Sequence, residues 1–444
     1  MGFKVGLLGL GTVGTGIVQI LQTPQGRHPI LQRLELAAVG VRSLEKPRSV
    51  ALDSGLLTTD LAAIVTHPEI DIVVEVIGGL EPARSLILKA IEHGKHVVTA
   101  NKAVIARYGD EIFTAANDAG VYVMLEAAVA GGIPVIQPMK QSLGGNQIRS
   151  VTGILNGTTN YILTQMQESG GDFNAILAEA QRLGYAEADP TADIDGLDAG
   201  DKIAILASLA FGGRIKLDQV HREGIRHITA ADITYADKLG FVIKLLAIAK
   251  ATVDPSAGGV SPMEDPQMLD VRVHPTLVPK EHPLASVNDV FNAILIEADP
   301  LGQVMFFGPG AGAGPTASAV VADVINVAAL IHAHPDADTQ GYMHPLLACS
   351  HKHYSEIAPI AGIKTRFFTR LITHDHPGVI GSIGTAFGEH HVSLESIVQT
   401  DTQQDRAEIV VVTHHVQEGQ FRQALDQIDR LAAVNCIDSV LRVL

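Results

Sequence analysis

The chain begins with an apolar run, Lys4-Val5-Gly6-Leu7-Leu8, then a glycine-spaced turn, then a second apolar run, Ile17-Val18-Gln19-Ile20-Leu21. Up to about residue 132, short β-branched runs alternate with helical patterns: 36–41, 70–77, 96–99 and 121–125 read as strands, 81–92 and 109–119 as helices. This rhythm predicts a parallel sheet with crossover helices. From 147 to about 305 longer helical patterns take over, at 158–168, 173–183, 199–210 and 233–246, mixed with polar and strand-like stretches. A second, substrate-facing α+β domain is expected there. Gly308-Pro309-Gly310-Ala311-Gly312-Ala313-Gly314-Pro315 is a sharp punctuation before a helical pattern over 316–332, which is expected to return to the first domain. The polar, His- and Pro-containing stretch 335–363 reads as a linker. Beyond it the order is strand (365–373), helix (377–390), strand (392–399), strand (407–414), helix (419–431) and strand (436–443). Val379, Ile380, Ile383 and Phe387 share one face of the first helix, and Pro377 falls in its first turn. The expected domains are 1–132 together with about 306–345, then 133–305, then 364–444.

A chain of 444 residues with 46% hydrophobic and 18% charged content can build several well-buried cores and reads as soluble and globular. A formal charge of −16, with no local Lys/Arg cluster to offset it, argues against nucleic acid and anionic membrane surfaces as partners. Cys349 and Cys436 lie far apart without metal-ligand spacing, so neither a disulfide framework nor a zinc site is indicated, and a reducing cytoplasm fits. The pairs His351/His353, His390/His391 and His414/His415 lack the helical spacing or acidic neighbours of a metal site. No apolar run is expected to reach bilayer length and the N-terminus enters the first strand directly, so a cytoplasmic location without export or membrane insertion is expected.

The first turn carries chemistry. Gly9-Leu10-Gly11-Thr12-Val13-Gly14 lies between a strand and a helix, where glycines let the backbone approach a pyrophosphate and the helix N-terminus presents free N–H groups to it. A Rossmann-like dinucleotide-binding domain is the expectation. At the end of the second strand, where NAD enzymes commonly place an acidic residue, the chain has Gly40-Val41-Arg42-Ser43. Arg42 suits a 2′-phosphate, which favours NADP, with NAD or dual use as the alternative.

The second chemical stretch runs from Leu183-Gly184-Tyr185-Ala186-Glu187 through Asp189, Asp193, Asp195 and Asp198 to Lys202. On a helix that begins near Asp198, the residues Asp198, Lys202, Ile205 and Leu209 fall on one stripe, so a carboxylate and an ammonium continue into apolar packing. A desolvated lysine beside a carboxylate suits proton transfer, whereas the same pair on a surface is a weak ion pair. Glu187 and Asp193 add carboxylates suited to the amino group of a small amino acid.

The last βαββαβ unit, with Asp375-His376-Pro377-Gly378 at its first strand-to-helix junction, resembles the ACT (ferredoxin-like) regulatory domain, which implies paired sheets and an amino-acid effector; a purely oligomerising module is the alternative. From Gly9 to its end the chain resembles homoserine dehydrogenases of the bacterial form with a C-terminal ACT domain. The resemblance rests on Gly9 to Gly14, on Thr99-Ala100-Asn101-Lys102, on Glu126-Ala127-Ala128-Val129-Ala130-Gly131-Gly132-Ile133-Pro134, on Gly153-Ile154-Leu155-Asn156-Gly157-Thr158-Thr159-Asn160-Tyr161 and on the acidic loop ending at Lys202. It implies interconversion of L-homoserine and L-aspartate 4-semialdehyde in threonine, methionine and isoleucine biosynthesis. Glu187 and Asp198 would hold homoserine, Lys202 would donate and accept the proton, and Lys102 would stand near nicotinamide or substrate. Gly184, Gly310 and Gly312 would touch the cofactor. Glu126, with the carbonyls of Val129, Gly131 and Ile133, would correspond to a monovalent cation site such as one for sodium; a buried carboxylate capping a turn is the alternative. L-threonine is the expected effector, near Asp375 and Gly378, and a homo-oligomer, dimer or tetramer, is expected.

Two other functions are distinguishable. A semialdehyde-oxidising enzyme needs a cysteine nucleophile, and Cys349 and Cys436 fall in the linker and the last unit. A non-catalytic sensor of NAD(P) and an amino acid needs no Asp198/Lys202 pair.

Overall fold

The structure is a computed structural model, and it describes residues 2–252, 268–333, 344, 346–348, 353–403 and 406–444. Cys349, His351 and part of the expected linker lie outside the described residues. Contacts group the chain into two compact units: Met1–Val151 with Asp201–Gln219 and Phe291–Ser355, and Thr152–Gly200 with Val220–Val290 and Glu356–Leu444.

The first unit starts as β1 (Phe3–Leu8), α1 (Thr12–Gln22), β2 (Leu34–Gly40), β3 (Leu57–Thr58), α2 (Leu61–Thr66), β4 (Ile72–Glu75), α3 (Ala83–Glu92), β5 (His96–Thr99), α4 (Lys102–Ala119) and β6 (Val123–Met124). The strands pair in parallel in the order β3-β2-β1-β4-β5-β6. Ile72, Val73 and Val74 are wholly buried, as central strands covered on both faces require. The order reverses at β1, and the crevice beyond the strand ends at such a reversal is where α/β sheets take ligands. The helix expected at 109–119 already begins at Lys102, because the Asn101 side chain caps it by accepting from Val104 N at 3.3 Å.

The chain continues through α5 (Ile136–Lys140), β7 (Gln147–Ile154), α6 (Gly157–Ser169), α7 (Phe173–Leu183), α8 (Thr191–Ile194), α9 (Leu197–Phe211), β8 (His221–Arg222), α10 (Ala230–Lys238), β9 (Phe241–Ala251) and β10 (Leu269–Pro279). One expectation is corrected here. The pattern over 233–246 predicts a single helix, but α10 stops at Lys238 and β9 begins at Phe241. Gly240, at φ +83°, turns the chain, and β9 is buried on both faces, so its unbroken apolar run lacks the alternation that marks a half-exposed strand.

β11 (Phe291–Asp299) and β12 (Gly302–Pro309) form an antiparallel hairpin in the first unit, followed by α11 (Ala313–Ala333). This helix corrects a second expectation: it is long and apolar enough, by length and composition, to cross a membrane. Half of that apolar window is buried, and Val320, Val324 and Val327 join Val5, Ile17 and Val18 in one core. Its approach to α1 is close, since a Cβ on Gly16 would lie 2.9 Å from the Ala317 methyl and 2.7 Å from Ala313 O.

The C-terminal part is β13 (Lys364–His374), α12 (Val379–Glu389), β14 (Leu394–Gln403), β15 (Arg406–Thr413), β16 (Val416–Gln417), α13 (Glu418–Ile428) and β17 (Val434–Val443). Apart from the short β16 this is the expected βαββαβ order. Its core includes Phe367 stacked on Phe421 with ring centroids 4.0 Å apart. Within the second unit the strand order is β9-β10-β17-β13-β15-β14, with β10 and β17 parallel.

Candidate active site

The glycine turn has the shape a dinucleotide needs. Gly9 sits at φ +106°, where a Cβ would lie 2.9 Å from Val76 O, and a Cβ on Gly14 would lie 2.1 Å from Gly9 O. Gly11 is the N-cap of α1 without any side-chain cap, and the space where its Cβ would be is open. The first-turn N–H groups of Thr12 and Val13 are thus left for an anion, and Leu10 and Val13 pack against the core beneath. These residues fit a dinucleotide pyrophosphate. Arg42 is exposed just beyond β2. Gly310 has a packing role: a Cβ there would strike the Asn292 side chain at 2.2 Å, and a Cβ on Gly131 would strike Gly310 O at 2.4 Å. Gly312, at φ +122°, leads into α11.

Lys102 is the first residue of α4, and a buried network shapes the turn before it. Thr99 Oγ1 donates to Glu75 Oε2 at 2.6 Å, Asn101 N donates to Thr99 Oγ1 at 3.0 Å, and Asn101 Nδ2 donates to Gly79 O at 2.7 Å. Glu75 is wholly buried, and its other oxygen accepts from Ile77 N and Gly78 N. Sequence reasoning missed Glu75; a lone acid at the end of an otherwise apolar strand was the available signal.

Asp198 and Lys202 lie one turn apart on α9, both buried. Asn156 Nδ2 donates to Asp193 Oδ1 at 2.7 Å and to Asp198 Oδ2 at 2.9 Å, so the structure brings Asp193 and Asp198 together around an amide that the sequence reading left without a role. Arg226 pins the loop between them from outside by pairing with Asp195, while Ile225 N donates to Ile194 O at 2.8 Å. Gly184 ends α7 at φ +79°, and Thr158 Oγ1 donates to Tyr185 O at 2.7 Å. Glu187 is exposed, with its backbone carbonyl held by Gln181 Nε2 at 3.0 Å.

Glu126 is buried and its carboxylate accepts three backbone N–H groups at the start of α5: Val135 and Ile136 on Oε1 at 2.6 and 2.8 Å, and Gln137 on Oε2 at 2.7 Å. Burial pushes its carboxyl up against those three bonds. The carboxylate thus satisfies three of the N–H groups at the start of α5. Ala130 and Gly131 both adopt left-handed backbone, so the 129–133 turn is tight. Among the described residues no group of three or more His, Cys, Asp or Glu side chains is placed to hold a metal ion. Asp323 on α11 accepts from Glu126 N at 2.8 Å, and burial raises its carboxyl to about 8.

In the C-terminal unit a cavity of about 440 Å³ is lined by Thr373, Asp375, His376, Gly378 and Gln399 among others. Gly378, at φ +97°, is the N-cap of α12, and Asp375 Oδ1 accepts from Gln399 Nε2 at 3.1 Å.

Residues 9–126 match the family model described as homoserine dehydrogenase, NAD binding domain; residues 134–325 match that for homoserine dehydrogenase, and residues 368–433 that for the ACT domain. The chain is 63% identical over 444 residues to the homoserine dehydrogenase of Synechocystis sp., covering 100% of both chains. It is similar to a crystal structure of a homoserine dehydrogenase from Thiobacillus denitrificans, with a TM-score of 0.90 and 40% identity, over 100% of this chain and 98% of that one. It is also similar to a hyperthermophilic archaeal homoserine dehydrogenase in complex with NADPH, with a TM-score of 0.62 and 27% identity, over 74% of this chain and 98% of that one.

Proposed function

Because the chain belongs to the homoserine dehydrogenase family, with a Rossmann-type NAD-binding domain, a catalytic domain and a C-terminal ACT domain, we propose that it interconverts L-homoserine and L-aspartate 4-semialdehyde using NADP, with NAD as a second cofactor. The observation that carries this reading is the placement of a buried lysine, Lys202, one helical turn after a buried carboxylate, Asp198. Lys202 takes the proton from the homoserine hydroxyl in one direction and returns it to the aldehyde oxygen in the other. When bound, the nicotinamide carries the two electrons. Lys102, which follows the turn held by the Glu75–Thr99–Asn101 network, orients substrate and ring. Asp198, Asp193 and Glu187 supply fixed negative charge for the substrate ammonium.

Gly9 to Gly14 hold the pyrophosphate, Gly184 and the Gly310/Gly312 turn bound the cofactor, and Arg42 meets the 2′-phosphate. The NADPH bound by the archaeal relative supports the choice of cofactor. A monovalent cation such as sodium is held by Glu126 with the carbonyls of Val129, Gly131 and Ile133; the remaining capacity of Oε2, which accepts one N–H, supports this. L-threonine binds at Asp375 and Gly378 and inhibits, and the enzyme acts as a cytoplasmic homo-oligomer in threonine, methionine and isoleucine biosynthesis. The test is homoserine-dependent reduction of NADP followed at the nicotinamide absorbance band, with threonine added afterwards. Absence of homoserine-dependent reduction with either cofactor contradicts the reading.

A further inference from the structure

The cap of α6 does more than start a helix. A helix N-cap needs one acceptor, which Ser, Thr, Asp and Asn supply about equally well. Asn156 uses its Oδ1 for that purpose, accepting from Thr159 N at 2.8 Å and from Thr159 Oγ1 at 3.0 Å. Its amide nitrogen is turned the other way, onto two carboxylates at 2.7 and 2.9 Å. Of the four good capping residues only Asn combines the acceptor with two N–H donors on one rigid group, and both sides are used here. The side chain is buried, Asp198 is buried and Asp193 is half-buried, so the two negative charges are held close in a place where water screens them poorly. One nitrogen bonds both oxygens and so ties their separation to a single rigid amide.

We propose that Asn156 is a positioning residue that locks Asp193 and Asp198 into a single two-carboxylate recognition site for the ammonium group of the amino-acid substrate. The inference rests on the homoserine reading above. Asn156 touches neither substrate nor cofactor in this scheme; it acts through the two aspartates. Loss of its amide removes the one group that bonds both carboxylates, and recognition of a bound ammonium suffers before the chemistry of the hydroxyl does.

The test uses full-length Asn156→Ser and Asn156→Asp. Both keep a capping acceptor for Thr159 N; Ser has one short donor and Asp has none. The expected result is a KM for homoserine raised by about 10- to 100-fold, a smaller change in kcat, a KM for NADP within about twofold, and an unchanged melting temperature for Asn156→Ser. A homoserine KM within about twofold of wild type in a folded Asn156→Ser enzyme overturns the inference alone. So does a loss that falls equally on both KM values together with the melting temperature, because that is the signature of a helix cap and nothing else. A wild-type protein without homoserine activity overturns the proposed function and this inference with it.

Discussion

Arg107 on α4 reaches Asp201 on α9, with Nη1 2.9 Å from Oδ2 and the Asp201 side chain only 8% exposed. Lys102 begins the first of these helices and Lys202 follows Asp201 on the second, so one ion pair ties together the elements that carry both candidate lysines. Asp201→Asn is expected to lower kcat by about 10-fold or more through misplacement of the lysines, and stability by about 1–2 kcal/mol, since the pair is shielded on one side only. Steady-state kinetics alongside a denaturant titration check both.

Asp323 makes stability depend on pH in an unusual sense for a carboxylate. Its folded-state value of about 8 lies above the ordinary 3.8, because burial outweighs the bond from Glu126 N. The folded protein therefore binds the extra proton, and this group's contribution is lost as pH rises from about 4 through 8. Asp323→Asn keeps an acceptor for Glu126 N and removes the titration. At pH 9 it is expected to be more stable than wild type by about 1–3 kcal/mol, with the difference shrinking towards pH 5. Melting temperatures across that range decide it; a gap independent of pH contradicts the assignment.

In the proposed function, cofactor choice turns on Arg42. Arg42→Ala is expected to raise the KM for NADP by about tenfold, the worth of one charge-assisted contact to a phosphate, and to leave the KM for NAD nearly unchanged. Parallel loss with both cofactors would show that the side chain stabilises the β2 turn instead.

The cavity at Asp375 and Gly378 gives the regulatory prediction. Asp375→Ala is expected to weaken inhibition by threonine by about tenfold or more, while turnover without threonine stays within about twofold. Calorimetric binding of threonine to both forms separates lost binding from lost response.

Much of the fold was legible because local signals agreed with one another. The helix Phe173–Leu183 is legible to the residue, since Asp172 caps its start and Gly184 its end. The strand His96–Thr99 was read equally well from its β-branched run. Where burial erases periodicity the sequence misleads: β9, covered on both faces, has the pattern of a continuation of α10. The helical pattern over 316–332 begins earlier in the structure, at Ala313, because Ala313, Gly314 and Pro315 of the Gly/Pro stretch form its first turn. Of the site, the glycine turn and the Asp198/Lys202 stripe are local patterns and could be seen. Glu75 with Thr99, Asn156 with Asp193 and Asp198, and Glu126 with Asp323 join residues 24 to 197 positions apart, and no spacing rule announces such pairs.

Turnover by Lys202→Ala tests the account most directly, because a single ammonium is assigned the proton that accompanies the two electrons. Homoserine-dependent NADP reduction by the folded variant is expected to fall by about 10²–10⁴-fold, the range for loss of a general acid–base group, while NADP binding measured by fluorescence titration stays within about twofold. Turnover within about threefold of wild type would contradict the account.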